Sequence, residues 1–249
     1  MENASLIGLS RQMSLRRELD VVSNNIANIN TTGFKGDTAV FEEYVMPGAS
    51  HGRFPLSHRK LSYVHDRATW HDLSQGPLRQ TGNPLDVAID GKDFFVVQTP
   101  EGERYTRNGS FQINPAGELV TTQGYRVMGD RGPIQFLTDD KDITIATDGT
   151  IAMPNGTTRG KLRLVAFDNP QGLQKAGFST FSAPNGVNAQ PTQRPRVIQG
   201  SIEESNVKSI VEMTRMIEVT RSYTQVASLL QQHGDMRRSS IERLAEVPA

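Results

Sequence analysis

Four histidines, His51, His58, His65 and His71, follow one another at steps of seven, seven and six residues. Imidazoles at such spacing would gather a metal ion if a helix aligned them. Gly48, Gly52 and Pro55 argue against a helix there, and in a strand a step of seven puts neighbours on opposite faces, so no metal site is expected. Residues 51–80 also carry Arg53, Arg59, Lys60, Arg67 and Arg79 against Asp66 and Asp72, which reads as a basic segment facing solvent or a neighbouring subunit. A second group, Asp139, Asp140, Asp142 and Asp148, has the residue type of a two-carboxylate glycan hydrolase. These aspartates sit beside turns, where the side chain bonds its own backbone, and nothing in the sequence raises one pKa above the others. The chain has no cysteine, which removes thiolate catalysis, disulfides and Cys-ligated zinc. No GxSxG, HExxH, GxxxxGK or GxGxxG motif occurs, so the sequence predicts no catalytic residue, cofactor or metal. The sequons at Asn108 and Asn155 read as hairpin turns.

The elements that would position any site fall into four stretches. Residues 1–35 predict an N-terminal helix over 3–29, 36–75 an extended connector, 76–198 a β domain, and 199–249 a C-terminal helix. The β reading rests on short apolar runs such as "VAIDG", "FFVVQT" and "KLRLVAF", separated by Asp-Gly and Asn-Gly dipeptides without intervening helical segments. Such a pattern favours antiparallel over parallel pairing. Trp70 is expected to anchor packing at the entrance to the β domain. The fold class is therefore α+β: terminal helices forming a coiled-coil-like domain around a central antiparallel all-β domain.

Both helices carry more apolar surface than one partner covers. Leu15, Leu19, Val22, Ile26 and Ile29 recur at steps of 4, 3, 4 and 3, a coiled-coil seam, whereas Leu6, Leu9 and Met13 fall on another side. Near the C-terminus, Met216, Val219, Tyr223, Val226 and Leu230 make a matching seam, while Val207, Ile210, Met213, Ile217 and Leu229 point elsewhere. Ser201 or Ser205 is placed to cap this helix. Within "SNNIANINTTGF", Asn24, Asn25 and Asn28 cluster beside the seam; Asn24 and Asn28 share a face and are candidates to bridge helices, whereas Asn30 and Gly33 terminate the helix. All these residues except Leu6, Leu9, Met13, Leu229, Ser201, Ser205, Asn30 and Gly33 are the expected subunit-interface set. The helical ends are thus expected to need neighbouring copies.

The 27 basic and 27 acidic side chains balance, so no global field calls for nucleic acid. Arg11, Arg16, Arg17, Glu18 and Asp20 interrupt the apolar residues of the N-terminus; neither a cleaved signal peptide nor a membrane-inserted span is expected.

Four blocks resemble a known family. "LDVVSNNIANINTTGFK" (19–35) is similar to the N-terminal signature of the bacterial flagellar rod and hook proteins. "TGNPLDVAIDGKDFFVV" (81–97), with "YTRNGSF" and "GELVTTQGYRVMG", resembles their central block, and "EESNVKSIVEMTRMIEVTRSY" (203–223) their C-terminal motif. The length and the opening segment resemble the proximal-rod branch, with the distal-rod branch as the near relative. Thr220 and Thr224 depart from the residue types common in relatives at those positions. The resemblance implies a non-enzymatic, torque-transmitting rod segment. Its helices would form the inner tube and its β domain the outer layer, in the periplasmic part of the basal body. It implies as partners other copies of the chain, adjacent proximal and distal rod proteins and, during secretion, the flagellar type III export apparatus, with the N-terminus uncleaved. The alternative from another class is a secreted β-domain binding module whose helices serve as an oligomerisation stalk.

Overall fold

The computed structural model describes residues 2–47, 60–137, 140, 142–154, 156–177, 179–184 and 186–245. The chain forms two compact units. One comprises residues 1–26, 37–70 and 208–249, the other 27–36 and 71–207.

The first unit contains the helices α1 (Glu2–Ala27) and α2 (Ser209–Ala245) and an antiparallel association between them. Three contacts set the register. A methyl at Gly8 would approach Leu230 to 2.6 Å, Arg215 Nε donates to Glu18 at 3.0 Å, and Asn25 Nδ2 donates to Glu212 at 3.3 Å. Glu212 lies in the first turn of α2 and Arg243 in the last, each sign suited to the helix dipole. The stretch expected to be an extended connector is extended but also paired: Asp37–Pro47 and Lys60–His71 form a two-stranded sheet. Trp70, expected as a packed anchor, is 53% exposed on that second strand.

Two boundaries differ from the pattern. The first helix stops at Ala27, so Ile29, the last member of its seam, lies beyond it. A turn follows, in which the Thr31 amide donates to the Asn28 carbonyl at 3.2 Å. The second helix does not begin with Ser201 or Ser205 as its cap. Ser201–Glu203 is a strand paired antiparallel with Leu78–Gln80, and Val207 precedes the helix. A cap contributes about 0.5–2 kcal/mol, and the ladder together with burial of Ile202 outweighs it.

The second unit is antiparallel throughout its described ladders. Its central strand, Phe94–Thr99, pairs with Gly102–Thr106, Arg126–Gly129 and Leu164–Phe167. The uninterrupted apolar run FFVV follows from burial on both faces. Phe95 and Val97 enter one core with Val87, Ile89, Phe111, Val127, Ile151 and Val197, while Phe94 and Val96 enter a second with Tyr105, Val165, Leu173 and Phe181. Asp148-Gly149 makes the expected tight turn, between Thr144–Ile145 and Thr150–Ala152, with Gly149 at φ +86°.

Candidate functional site: assembly helices and a buried junction

Packing of α1 on α2 sorts the predicted interface residues into three groups. Leu15, Val22 and Val219 are buried, and Leu19, Ile26, Tyr223, Val226 and Leu230 are half-buried, so these eight seam members face the interior of the helical unit. Ile210 (80% exposed), Met213, Met216 and Ile217 remain open, as do Leu6, Leu9, Met13 and Leu229. At about 100° per residue, Ile210 and Ile217 stand on the opposite side of α2 from Val219. The register also leaves roughly the last ten residues of α2, about 15 Å, beyond the start of α1. Met236 and Ile241 are exposed there. Among the described residues, eleven of the seventeen exposed large apolar side chains lie on these two helices, which makes the helices the candidate assembly surface.

Asn25, buried to 2% exposure, joins elements. Its Oδ1 accepts from the Asp37 amide at 2.9 Å, and its Nδ2 donates to the Asp37 carbonyl at 2.8 Å and to Glu212. Asn25 therefore ties α1 to both α2 and the first strand of the two-stranded sheet. Asn24 is exposed, and Asn28 Oδ1 accepts from the Thr31 hydroxyl within the turn. Ile29 and Val207, half-buried in the β unit, line a cavity of about 410 Å³ with Pro77 and Ile202.

In the β unit, three charged side chains meet out of contact with water. Glu203 is wholly buried: it accepts hydrogen bonds from Lys35 Nζ, from the Gly76 amide at 2.9 Å and from Arg107 Nη1 at 3.3 Å. Its backbone carbonyl accepts from the Gly33 amide at 2.8 Å. Lys35 also donates to the Ser74 carbonyl at 2.6 Å. Arg107 stacks over the Phe94 ring at 4.9 Å, and its Nε has no acceptor among the described residues. Burial lowers the pKa of both Lys35 and Arg107, and the Glu203 carboxylate pulls each back up. Asn206 completes the junction, accepting from the Gly36 amide at 2.8 Å and donating to the Asp72 carbonyl at 2.8 Å. Gly33 stands at φ +67°, and a methyl there would come within 2.3 Å of the Asn108 nitrogen. With its carboxylate taken up by three donors, Glu203 has a structural role: removing one partner from a buried pair costs about 3–5 kcal/mol.

Comparison with known proteins identifies the chain. Residues 6–35 match the flagella basal body rod protein family, 88–153 the flagellar hook protein FlgE/F/G D1 domain, and 198–243 the flagellar basal body rod FlgEFG protein C-terminal family. A flagellar basal-body rod protein FlgF of Caulobacter vibrioides is 40% identical over 99% of this chain and 100% of its own. The chain belongs to the flagellar basal-body rod protein family. The FlgF of Mesorhizobium japonicum is 33% identical over 98% of both chains, and the FlgG of Bacillus subtilis 31% identical over 87% of this chain and 89% of its own. The rod protein is a structural, non-enzymatic component of the basal body, as the resemblance implies.

The rod-family blocks gain a physical meaning from the junction. Lys35 closes the N-terminal signature, Arg107 sits in "YTRNGSF", and Glu203 and Asn206 open the C-terminal motif; distant in sequence, they touch in the fold. None of the four was among the predicted site residues. No local signal marks them: three are charged and one is an amide, in signatures that carry other charged and polar residues as well. Two of the aspartates weighed for glycan hydrolysis, Asp140 and Asp148, are taken up by nearby donors instead. Arg159 grips Asp140 through two bonds of 2.7 Å and holds its carboxyl below the ordinary range. The Thr150 amide does the same for Asp148. A general acid needs the opposite shift. Asp139, His51 and His58 lie outside the described residues. His71 packs edge-on to Phe181. Among the described residues, no helix is long and apolar enough to cross a membrane.

Proposed function

We propose that this rod protein is a proximal-rod segment of the FlgF type, which polymerises with its own copies and with adjacent rod proteins in the periplasm and transmits motor torque. The supporting observation is the apolar surface that α1 and α2 leave uncovered after packing on each other. If five of those side chains each gain about 1.5–3 kcal/mol on burial, neighbours supply on the order of 10 kcal/mol, as much as the stability of a whole domain. The subunit contacts run through the outward stripe Ile210, Met213 and Ile217, while Leu15, Leu19, Val22, Ile26, Val219, Tyr223, Val226 and Leu230 hold the helix pair that presents it. Asn25 ties that pair together, Asn24 and Met216 border the contact, and Asn28, Ile29 and Val207 meet a neighbouring subunit from the β unit. Assignment to the FlgF branch rests on end-to-end alignment with the FlgF relatives. The chain reaches the periplasm through the flagellar type III export apparatus with its N-terminus uncleaved.

Mixing the purified chain with other purified rod proteins separates this reading from a binding module on an oligomerisation stalk. Hetero-assembly visible by sedimentation and electron microscopy is expected. Self-association alone, with indifference to every rod protein, overturns the proposal.

A further inference from the structure

We infer that the Lys35–Glu203–Arg107 junction is a closing latch, which keeps the β unit from completing its fold until residues 197–206, the last stretch of that unit in the chain, have joined it. The cluster draws one charge from each of three distant places: Glu203 lies 168 residues from Lys35 and 96 from Arg107. Lys35 and Arg107 are both 1% exposed, and Glu203 is the carboxylate that hydrogen-bonds them both. Until it arrives, closing the unit would seal two cations in an apolar interior without their counter-ion, so both side chains stay hydrated and their segments stay undocked.

A separate observation points the same way. The strand Val87–Ile89 is wholly buried in the first core, and its ladder partner is Val197–Gln199. Leu78–Gln80 likewise pairs with Ser201–Glu203. The strands contributed last thus complete the backbone bonding of elements made far earlier, in the same place where Glu203 supplies the charge. The turn Thr81–Asp86 is closed from that stretch as well, by the Thr81 and Gly82 amides donating to the Gly200 carbonyl. The local meander is different. Phe94–Thr99, Gly102–Thr106, Phe111–Ile113, Leu119–Thr121 and Arg126–Gly129 are near neighbours in sequence, and short loops alone would let them form first. The latch makes their consolidation wait. A chain emerging N-terminus first, from a ribosome or through a pore, then carries no finished β unit until residue 206 is out. This inference stands on the β unit alone and does not depend on which neighbours the helices take.

Pulse-labelled hydrogen exchange during refolding of the full chain from denaturant tests it. The amides of Val96, Val97 and Val127 are expected to gain protection in the same phase as those of Ile89 and Ile202. Glu203→Gln is expected to slow refolding by roughly 10²- to 10³-fold, with the unfolding rate changed less than tenfold. Asn206→Ala, which releases Gly36 and Asp72 but leaves the charges in place, should slow it less. If the Gln variant does not fold, the labelling order in the unaltered chain and the Asn206→Ala rates still decide. Protection of the Phe94–Gly129 meander in an earlier, independent phase overturns the inference. So does a Glu203→Gln or Asn206→Ala chain that refolds at the original rate and only unfolds faster.

Discussion

Placing a charge on the open side of α2 should abolish assembly and leave the fold intact. Ile210 is 80% exposed and Ile217 53% exposed, one heptad apart on the side turned away from Val219. In the isolated chain, Ile210→Lys with Ile217→Lys removes almost no internal contact, and surface changes of this kind stay within about ±0.5 kcal/mol. In the assembly, each isoleucine forfeits about 1.5–3 kcal/mol of burial, or about 3–6 kcal/mol for the pair. That weakens each subunit contact by roughly 10²- to 10⁴-fold, before the cost of bringing two ammonium groups against an apolar neighbour is added. Thermal melts followed by circular dichroism report the fold. Spreading in soft agar by cells whose only copy carries the substitutions reports the rod. Val219→Asp is the contrast: at 6% exposure it should lower the melting temperature as well as stop assembly. Normal spreading by the double-lysine strain would refute the reasoning, and so would a melt as low as that of the Val219 variant.

Gly33→Ala should destabilise the β unit by more than the roughly 1–2 kcal/mol of a left-handed residue, since the new methyl meets backbone and not a yielding side chain. Denaturant melts check it, and an unchanged midpoint would show that the turn relaxes freely. Acid sensitivity supplies another test. Asp140 and Asp148 have carboxyls held below their ordinary value of 3.8, so the stability they contribute is complete above about pH 4 and drains as pH falls below it. Arg159→Gln removes the largest cause at Asp140, and the acid limb of a stability-versus-pH curve should become shallower. An identical limb would contradict the assignment.

Periodicity alone exposed the architecture: heptad spacing at both ends and short β-branched runs between them set the α+β class. The surplus of apolar sides on each helix was also legible, because the direction of a side chain around a helix depends only on its position along it. Which side each seam would use was a tertiary decision. Leu15, Val22 and Val219 pack within the subunit and Ile210 and Ile217 stay outside, a choice made by the antiparallel register of α1 on α2. The same holds for the asparagines. Local spacing singled out Asn24 and Asn28 as bridges; it could not show that Asn25 bridges too, because Asp37 and Glu212 come to it from elsewhere in the chain. Ser201 looked like a cap for want of any sign that Leu78–Gln80 would claim its backbone. The junction was the least legible feature. Nothing local marks Lys35, Arg107 or Glu203 for burial, and only their meeting, away from water and across most of the chain, makes burying any one of them tolerable.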